Sequence, residues 1–296
     1  MHIKEDLYAI DKTLIAEASQ RISRWTLRKI SRKARNIRYV KIKNTWLSKD
    51  IEEAFKDEKY KTILSPENIS KKTCKVIQNI FIPEKIAAEL KHMKQIFPHT
   101  FHHILMVTIL GTKISMDKNL DYDYMPRKMA RSCIVHDIGK SRMPPEVLNK
   151  VSPLTRNERA LLRDHPLLGY LLLHYYYGKN HDKCDFASYE HHERLDGSGY
   201  PRGLKRINKY SQPIAVADVF DALISKRPYR KTPYTLRAAL DFLLEEARKK
   251  KVNKKVAYLL VCYARKDKPP LQRLKVSKKW RDKPPLGNVW GKTAKK

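Results

Sequence analysis

The sequence has little of what marks a secreted, membrane-spanning or low-complexity chain. Its four cysteines form no C-x-x-C pair and no zinc-ribbon spacing, so we expect free thiols in a reducing compartment. No apolar run approaches the roughly 20 residues that cross a bilayer. The first residues, MHIKEDLYAIDK, carry charge where a signal peptide needs an apolar stretch. Only nine glycines occur. Together these shortages predict a globular chain in the cytoplasm.

Acidic residues are also scarce relative to basic ones. The formal net charge of +32 divides into +10 over residues 1–95, +16 over residues 248–296 and only +6 over residues 96–247. From Arg21 to Lys43 there are ten basic residues and no acidic one. Basic flanks suit an acidic or polyanionic partner, nucleic acid included, but a general basic bias that favours solubility explains them as well. The mildly basic middle suits a phosphate-bearing substrate.

Helix signals run through most of the chain, and long strand alternation is absent. Pro83, Pro126 and Pro166 stand where first helical residues are favoured. Thr155 and Glu158 form a T-x-x-E capping box. From these signals we predict helices over residues 83–97, 100–116, 126–137, 156–164, 166–177, 187–193, 214–225, 235–250 and 256–264.

The predicted fold class is therefore all-α. Asn253 is expected to cap the last of these helices. The segment Arg21–Lys43 fits either a lightly amphipathic basic helix or a basic strand and turn. We expect three parts: a basic, mostly helical N-terminal region of unknown role (1–95), a helical catalytic domain (96–265), and an irregular, basic, proline-containing tail (266–296).

Histidine and aspartate form an unusual constellation in the middle of the chain. Imidazole and carboxylate groups are ligands of zinc, manganese and iron. The candidate ligands are His103, His136, Asp137, His165, His191, His192 and Asp218. Seven ligands are too many for one four-coordinate ion but suit two. A two-metal site activates a water molecule and clamps a phosphoryl oxygen, as phosphodiester hydrolysis requires.

Two details shape this expectation. His191 and His192 are adjacent on a predicted helix and would point about 100° apart, so we expect them to serve two different ions. Asp137 follows His136 directly and could bridge the ions. A single helical histidine is more often structural than a ligand, so the interpretation depends on the set as a whole.

Several strings in this region resemble the HD-GYP family of metal phosphodiesterases, which belongs to the all-helical HD superfamily. Their order and spacing fit over about residues 97–245. They are VHDIGK from Val135, DHP from Asp164, HHERLDGSGYP from His191, ADVFDAL from Ala217 and RPYR from Arg227. The long H-H-E-R string is the most specific of them, whereas an HD pair alone would be weak.

The resemblance implies roles for matching residues. The seven candidate ligands match the family's metal ligands, with Asp137 as the bridging carboxylate. Lys140 matches a lysine that contacts a substrate phosphate, so Asp137 and Lys140 are the expected catalytic residues. Arg227 and Arg230 match phosphate-holding residues, and guanidinium groups suit phosphate oxygens in any case. Tyr200 belongs to the turn that shapes the substrate-side loop.

The sequence also departs from the family pattern. Met106 and Gln212 stand where family members often have arginine, which predicts altered packing or substrate grip rather than an inactive centre. His99 stands where some members hold a third metal with a glutamate. We expect two ions and a more remote or surface role for His99. His102 is the alternative to His103 if the register is wrong by one residue.

By this resemblance the chain is expected to be a bacterial signalling enzyme. It would hydrolyse cyclic di-GMP to pGpG, GMP or both with two divalent ions, iron or manganese, or else zinc. One alternative is the same chemistry on another cyclic dinucleotide or nucleotide. The other is a non-catalytic nucleotide sensor or nucleic-acid-binding scaffold. The sequence leaves open the metal, the product, the input signal, the role of the basic flanks and the oligomeric state, a dimer included.

Overall fold

The structure is a computed structural model, and it describes residues 2–120, 124–180, 185–227, 230, 232–277, 282 and 284–285. One of the four cysteines, Cys184, lies outside this part of the chain. Pro228 and Tyr229 of the RPYR string lie outside it too. Most of the predicted tail beyond Ser277 lies outside it as well. The other cysteines, Cys74, Cys133 and Cys262, are free thiols.

Helices make up most of the described structure, which confirms the all-α prediction. They are α1 (Arg24–Lys33), α2 (Leu47–Ala54), α3 (Lys61–Leu64), α4 (Glu67–Gln78), α5 (Glu84–Ile96), α6 (Pro98–Ser115), α7 (Pro126–Ile134), α8 (Pro145–Leu148), α9 (Arg156–Leu162), α10 (His165–Tyr177), α11 (Asp185–Glu190), α12 (Ser211–Ile224), α13 (Leu236–Arg248) and α14 (Lys254–Ala264). Short 3-10 segments occur at Ile42–Asn44, Glu58–Tyr60, Ile138–Arg142, Gly178–Asn180 and Leu271–Arg273.

Local capping explains where several helices begin. The Thr155 hydroxyl accepts from the Glu158 backbone N–H at 3.2 Å, and the Glu158 carboxylate accepts from the Thr155 N–H at 2.7 Å. This reciprocal pair is the predicted capping box. The Asn253 side chain accepts from the Val256 N–H at 3.1 Å, which confirms the predicted cap of α14. These bonds satisfy N–H groups that the first helical turn leaves without partners.

The N-terminal region combines helices with two short pairs of antiparallel strands that we did not predict. Strand β1 (Leu7–Tyr8) pairs with β2 (Leu14–Ala16), and β3 (Tyr39–Lys41) pairs with β4 (Phe81–Pro83), both antiparallel. The basic segment Arg21–Lys43 contains α1 and then β3, so both interpretations of it were right in part. The β3–β4 pair connects residues some forty positions apart, which no local sequence pattern reveals.

Helix α6 is the centre of the core. Almost every residue from Thr100 to Ser115 is buried, and the helix packs against α4, α5, α7 and α12. Buried apolar residues form one continuous cluster that extends from the N-terminal strands to α14. The division at residues 95 and 265 stays a prediction. Among the described residues, no helix combines the length and the apolar character needed to cross a membrane.

Candidate metal centre

The residues singled out as ligands come together around the N-terminal half of α6. They are contributed by α6 (His103), the turn after α7 (His136, Asp137), the first residue of α10 (His165), the turn after α11 (His191, His192) and α12 (Asp218). They form two groups of buried or nearly buried donors, Asp137 with His165, His191 and His192, and His103 with His136 and Asp218. Within each group the donor atoms lie within 4.8 Å of one another.

The turn that carries His136 and Asp137 depends on a glycine. A Cβ atom on Gly139 would lie 2.0 Å from the carbonyl oxygen of His165 and 2.5 Å from the backbone nitrogen of Gly169. Only glycine therefore allows the 3-10 segment Ile138–Arg142 to approach the start of α10 so closely. This contact brings Asp137 Oδ1 within 3.3 Å of His165 Nε2.

Helix α11 ends earlier than predicted, and this changes the arrangement of two ligands. We expected His191 and His192 to lie on a helix and to serve different ions. The helix ends at Glu190, and both histidines lie in the turn that follows. Their ring centroids are 4.1 Å apart, and both belong to the same donor group. The prediction that both histidines lie on the helix was wrong. Because α11 ends before them, the 100° spacing of helical residues does not apply to their side chains.

Backbone carbonyls fix the tautomers of three histidines. The Nδ1 atoms of His136, His165 and His191 lie 2.7, 2.6 and 2.8 Å from the carbonyl oxygens of Cys133, Leu162 and Ser188, respectively. A carbonyl oxygen can only accept, so each Nδ1 carries the proton. Each Nε2 therefore presents a lone pair to the centre, which is the orientation found in metal-binding histidines.

Lone pairs that face each other need a cation between or near them. The Nε2 atom of His165 lies 3.3 Å from Nε2 of His191 and 3.2 Å from Nε2 of His192. In the part of the chain that the structure describes, the Nε2 atom of His136 and Oδ1 of Asp137 are buried without a hydrogen-bond partner. Buried acceptors without donors are costly. The donor set therefore fits divalent metal ions bound by nitrogen and oxygen.

Asp137 belongs to the first group and also faces the second. Its Oδ1 atom is 3.3 Å from Nε2 of His165 and 3.5 Å from Nε2 of His191. Its Oδ2 atom is 3.6 Å from Nε2 of His103 and 3.5 Å from Nε2 of His136. One carboxylate therefore presents a different oxygen atom to each donor group.

Burial and neighbouring charges set the protonation states of the centre. Burial alone would raise the pKa of Asp137, but the Lys140 ammonium, 2.5 Å from Oδ2, and His136 hold that pKa well below its ordinary value. Burial lowers the pKa of His136 to about 3 and lowers the pKa of His165 as well. The carboxylate is thus ionised and these imidazoles are neutral at pH 7, as metal binding requires.

Sequence reasoning missed Asp221, which orients His103. Oδ2 of Asp221 lies 2.5 Å from Nδ1 of His103, while Nε2 of His103 lies 3.0 Å from Oδ1 of Asp218. Asp221 is fully buried and also accepts hydrogen bonds from Tyr60 and Ser225. The spacing of Asp218 and Asp221 was the available signal, because residues three apart share a helix face.

The loop that follows His192 is anchored by Glu193, a second residue that we missed. The buried Glu193 carboxylate accepts from the backbone N–H groups of Arg202 and Leu204 at 2.7 and 2.8 Å. Gly199 is required nearby, since a Cβ there would lie 2.3 Å from the Arg194 nitrogen. Tyr200 consequently stacks on His192 with ring centroids 4.6 Å apart.

The three residues predicted to contact phosphate lie in different surroundings. Lys140 lies in the centre beside Asp137, and its side chain is 14% exposed. One guanidinium nitrogen of Arg227 lies 3.3 Å from Asp221 Oδ2. Arg230 is buried and donates to the carbonyl oxygens of Ala222 and Ser225, which close the end of α12. Phosphate binding by the two arginines stays a prediction.

The remaining residues named from the sequence lie outside the two donor groups. His99 is exposed, and Nε2 of His102 lies 3.2 Å from Oδ2 of Asp57. Met106 is fully buried in the core. Gln212 donates to the Ile207 carbonyl and accepts from Asn253, so it connects α12 to the cap of α14.

The family match to known proteins covers the part of the chain that holds the candidate ligands. The HD domain family matches residues 77–256. The cyclic di-GMP phosphodiesterase response regulator RpfG of Xanthomonas campestris is 43% identical over 111 residues, 37% of this chain and 29% of that protein. The 3′3′-cGAMP-specific phosphodiesterase 1 of Vibrio cholerae is 39% identical over 133 residues, 44% of this chain and 30% of that protein.

These relatives are longer proteins, and the chain spans less than a third of their length. Among solved structures, Bd1817, an HDG"Y"P protein from Bdellovibrio bacteriovorus, has a TM-score of 0.47 and 16% identity over 88% of this chain and 94% of that chain. The match over residues 77–256 covers more than half of the sequence. The chain therefore belongs to the HD domain family, and its motifs are those of the HD-GYP group.

Proposed function

We propose that the chain is a metal-dependent phosphodiesterase that hydrolyses cyclic di-GMP. The observation that carries this proposal is the position of Asp137, whose two oxygen atoms face two separate groups of neutral or acidic donors. A carboxylate that bridges two metal ions is expected to present one oxygen atom to each group of ligands. The curated relatives named as cyclic di-GMP or cGAMP phosphodiesterases add support, because they are 43% and 39% identical to this chain over the matched segments.

The reaction adds water across a P–O3′ bond, and it gives the linear dinucleotide pGpG first and GMP after a second cut. In the proposed site, His103, His136, Asp137, His165, His191, His192 and Asp218 would hold two divalent ions, iron or manganese, with zinc as an alternative. Ions bound there would supply Lewis-acid activation of water and of a phosphate oxygen. No protein nucleophile is required.

The chain's own residues would bind and orient the substrate. Lys140 is the cation nearest to Asp137 and would donate from Nζ to a phosphate oxygen, which offsets charge that develops there. Tyr200, held against His192, would form one side of the substrate position. Asp221 would keep His103 Nδ1 protonated, so that Nε2 stays available as a ligand.

A second substrate is favoured by a specific observation, since one relative with 39% identity is named as specific for 3′3′-cGAMP. Both substrates require the same ligands and differ in one base. A cytoplasmic location is part of the proposal. A nucleotide sensor or nucleic-acid scaffold, served by the basic flanks, is the non-catalytic alternative.

The test is anaerobic incubation of the iron- or manganese-loaded chain with cyclic di-GMP and with 3′3′-cGAMP, with products separated by chromatography. We expect pGpG or GMP to appear and a chelator to suppress it. Faster turnover of 3′3′-cGAMP would change the substrate and keep the chemistry. No turnover of either compound, with two ions bound per chain, would contradict the proposal and favour the sensor. Salt-steep nucleic acid binding that survives metal removal would favour the scaffold.

A further inference from the structure

A second cavity lies at the other end of α6 from the metal centre. Its volume is about 440 Å³, and α4, α6, α14 and residues 268–271 form its walls. Lys113 in the last turn of α6 contributes to it. Ten residues separate Lys113 from His103, which is about 15 Å at the helical rise of ~1.5 Å per residue. The cavity is therefore separate from the metal centre.

The charges around this cavity are mostly of one sign. Four lysines and a single aspartate belong to its wall: Lys72, Lys113, Lys118, Lys268 and Asp117. The rest of the wall includes apolar side chains such as Ile69, Met116 and Leu259. A concave surface with apolar walls and a few convergent charged groups is the usual form of a small-molecule site.

Lys113 is the unusual residue of the group. It is only 6% exposed, and its ammonium lies 4.5 Å from the centroid of the Tyr263 ring. Within the described residues, no carbonyl or carboxylate oxygen accepts a hydrogen bond from it. Burial, together with the nearby Lys268, lowers the pKa of Lys113 to about 8. Partial burial of an ammonium that donates to no oxygen of the described residues is costly, so an acceptor that enters the cavity from outside the chain would relieve the cost.

The aspartate of the cavity does not fill this role. Asp117 accepts from the Tyr263 hydroxyl at 2.7 Å and from the Asn119 backbone N–H at 2.9 Å. Lys268 donates to the carbonyl oxygens of Thr62 and Tyr263 at 2.5 and 2.7 Å, which leaves a third N–H on its ammonium. Two ammonium groups thus retain donors, and both belong to the cavity wall.

We propose that this cavity binds a phosphorylated small molecule of about mononucleotide size, with its phosphate between Lys113 and Lys268. A phosphate carries two negative charges near pH 7 and several acceptor oxygens, which match two lysines with donors to spare. The apolar wall and the Tyr263 ring suit an organic group attached to the phosphate. This site is independent of the function proposed for the metal centre.

The test is calorimetric titration of the metal-loaded full chain with adenosine 5′-monophosphate and, separately, with inorganic phosphate. We expect Lys113→Met to weaken binding of the nucleotide about 10-fold or more, which is the scale of a lost charge-assisted hydrogen bond. Lys113→Arg should retain most of the affinity. Lys91→Met removes an exposed lysine of α5 and is the matched control, with unchanged affinity expected.

Binding at the metal centre is separated from binding in the cavity by Asp137→Asn. Cavity binding should persist in this variant and should weaken about 10-fold or more in Lys113→Met. The proposal is overturned if the nucleotide binds equally well to Lys113→Met, if binding disappears only in Asp137→Asn, or if neither ligand binds at millimolar concentration. Thermal unfolding of Lys113→Met checks that the variant folds, as expected when methionine replaces a buried ammonium.

Discussion

Helix α6 carries His103 in its N-terminal half and Lys113 in its last turn, and both side chains are buried. The His103 ring lies between two carboxylates, with Nδ1 2.5 Å from Asp221 and Nε2 3.0 Å from Asp218. The Lys113 ammonium has an aromatic ring beside it and no acceptor among the described residues. One helix thus buries one polar group with partners and another without.

The two ends of α6 also differ in the sign of their buried charge. Around His103 the buried carboxylates and imidazole lone pairs present negative charge, and two of these atoms, on His136 and Asp137, have no donor. Around Lys113 the lysines outnumber the only aspartate in the wall. Burial of unpaired groups of one sign indicates a ligand of the other sign. We therefore expect cations at one end of α6 and an anion at the other, as proposed above.

The largest expected effect is at Asp137. Asp137→Asn keeps the shape of the side chain and removes the charge between the two donor groups, so activity should fall by more than about 100-fold, since even outer partners of metal ligands cost about 10–100-fold. Turnover and metal content by mass spectrometry measure the effect. Asp50→Asn, at a partly exposed carboxylate of α2 that pairs with Lys94, is the matched control. Full activity and metal content in Asp137→Asn would refute the bridging role.

Metal removal should lower the free energy of unfolding through its effect at the His103 end of α6, and not through the Lys113 end. A chelator leaves the facing lone pairs of the metal centre without a cation, so the free energy of unfolding should fall by roughly 3 kcal/mol relative to protein with metal at about 100 times Kd. Thermal unfolding with and without chelator measures the change. Lys113→Met should show the same decrease as the unmodified chain. An unfolding temperature that ignores the chelator would argue against metal bound by the folded state.

Substitution of Asp221 should lower metal affinity through its effect on His103. Asp221→Asn removes the charge that holds His103 Nδ1 protonated, and metal affinity should fall about 10–100-fold. Metal titration of the apo protein measures the affinity. Asp241→Asn, at another buried carboxylate on α13, serves as the control. If both variants bind metal equally well, His103 does not depend on Asp221.

The smallest expected effect is a pH dependence at Lys113. The pKa of its ammonium is about 8 in the folded chain against an ordinary value of 10.5, because of burial and Lys268, while Asp117 acts in the opposite direction. Below pH 8 both states carry the proton and the burial cost is complete. From pH 8 to 10.5 the unfolded chain binds more protons, so stability rises with pH.

Lys113→Met lacks this contribution. Relative to the variant, the unmodified chain should therefore gain stability on the order of 1 kcal/mol between pH 8 and pH 10.5, once solvent screening is allowed for. Urea unfolding of both proteins at the two pH values measures the difference, and Lys91→Met should behave like the unmodified chain. A difference that stays constant with pH would mean that Lys113 titrates normally.

The sequence predicted features that depend on a few adjacent residues. The capping box at Thr155 and Glu158 and the Asn253 cap were predictable because their hydrogen bonds join residues three apart. The candidate ligands were recognisable because each carries its chemistry in its residue type and has a distinctive neighbour, as in His136-Asp137. The all-α class followed from the helix-start signals and from the absence of long strand alternation.

Features that depend on distant residues were missed or wrong. The role of Asp221 requires Tyr60, which is 161 positions away. Helix α11 ends at Glu190, before His191, and the local helix pattern extended it too far. The β3–β4 pair joins segments with no common local signal.

By itself, the sequence determined the helical class, the main helix starts and the identity of the candidate metal ligands, because residue type and short spacing encode them. Only the tertiary structure decided which donors share a group, that Asp137 faces both groups, and that Lys113 is buried with no acceptor among the described residues. Those properties depend on distances between side chains brought together by packing around α6. Burial and pairing of charge are consequences of that packing, and no string of neighbouring residues contains them.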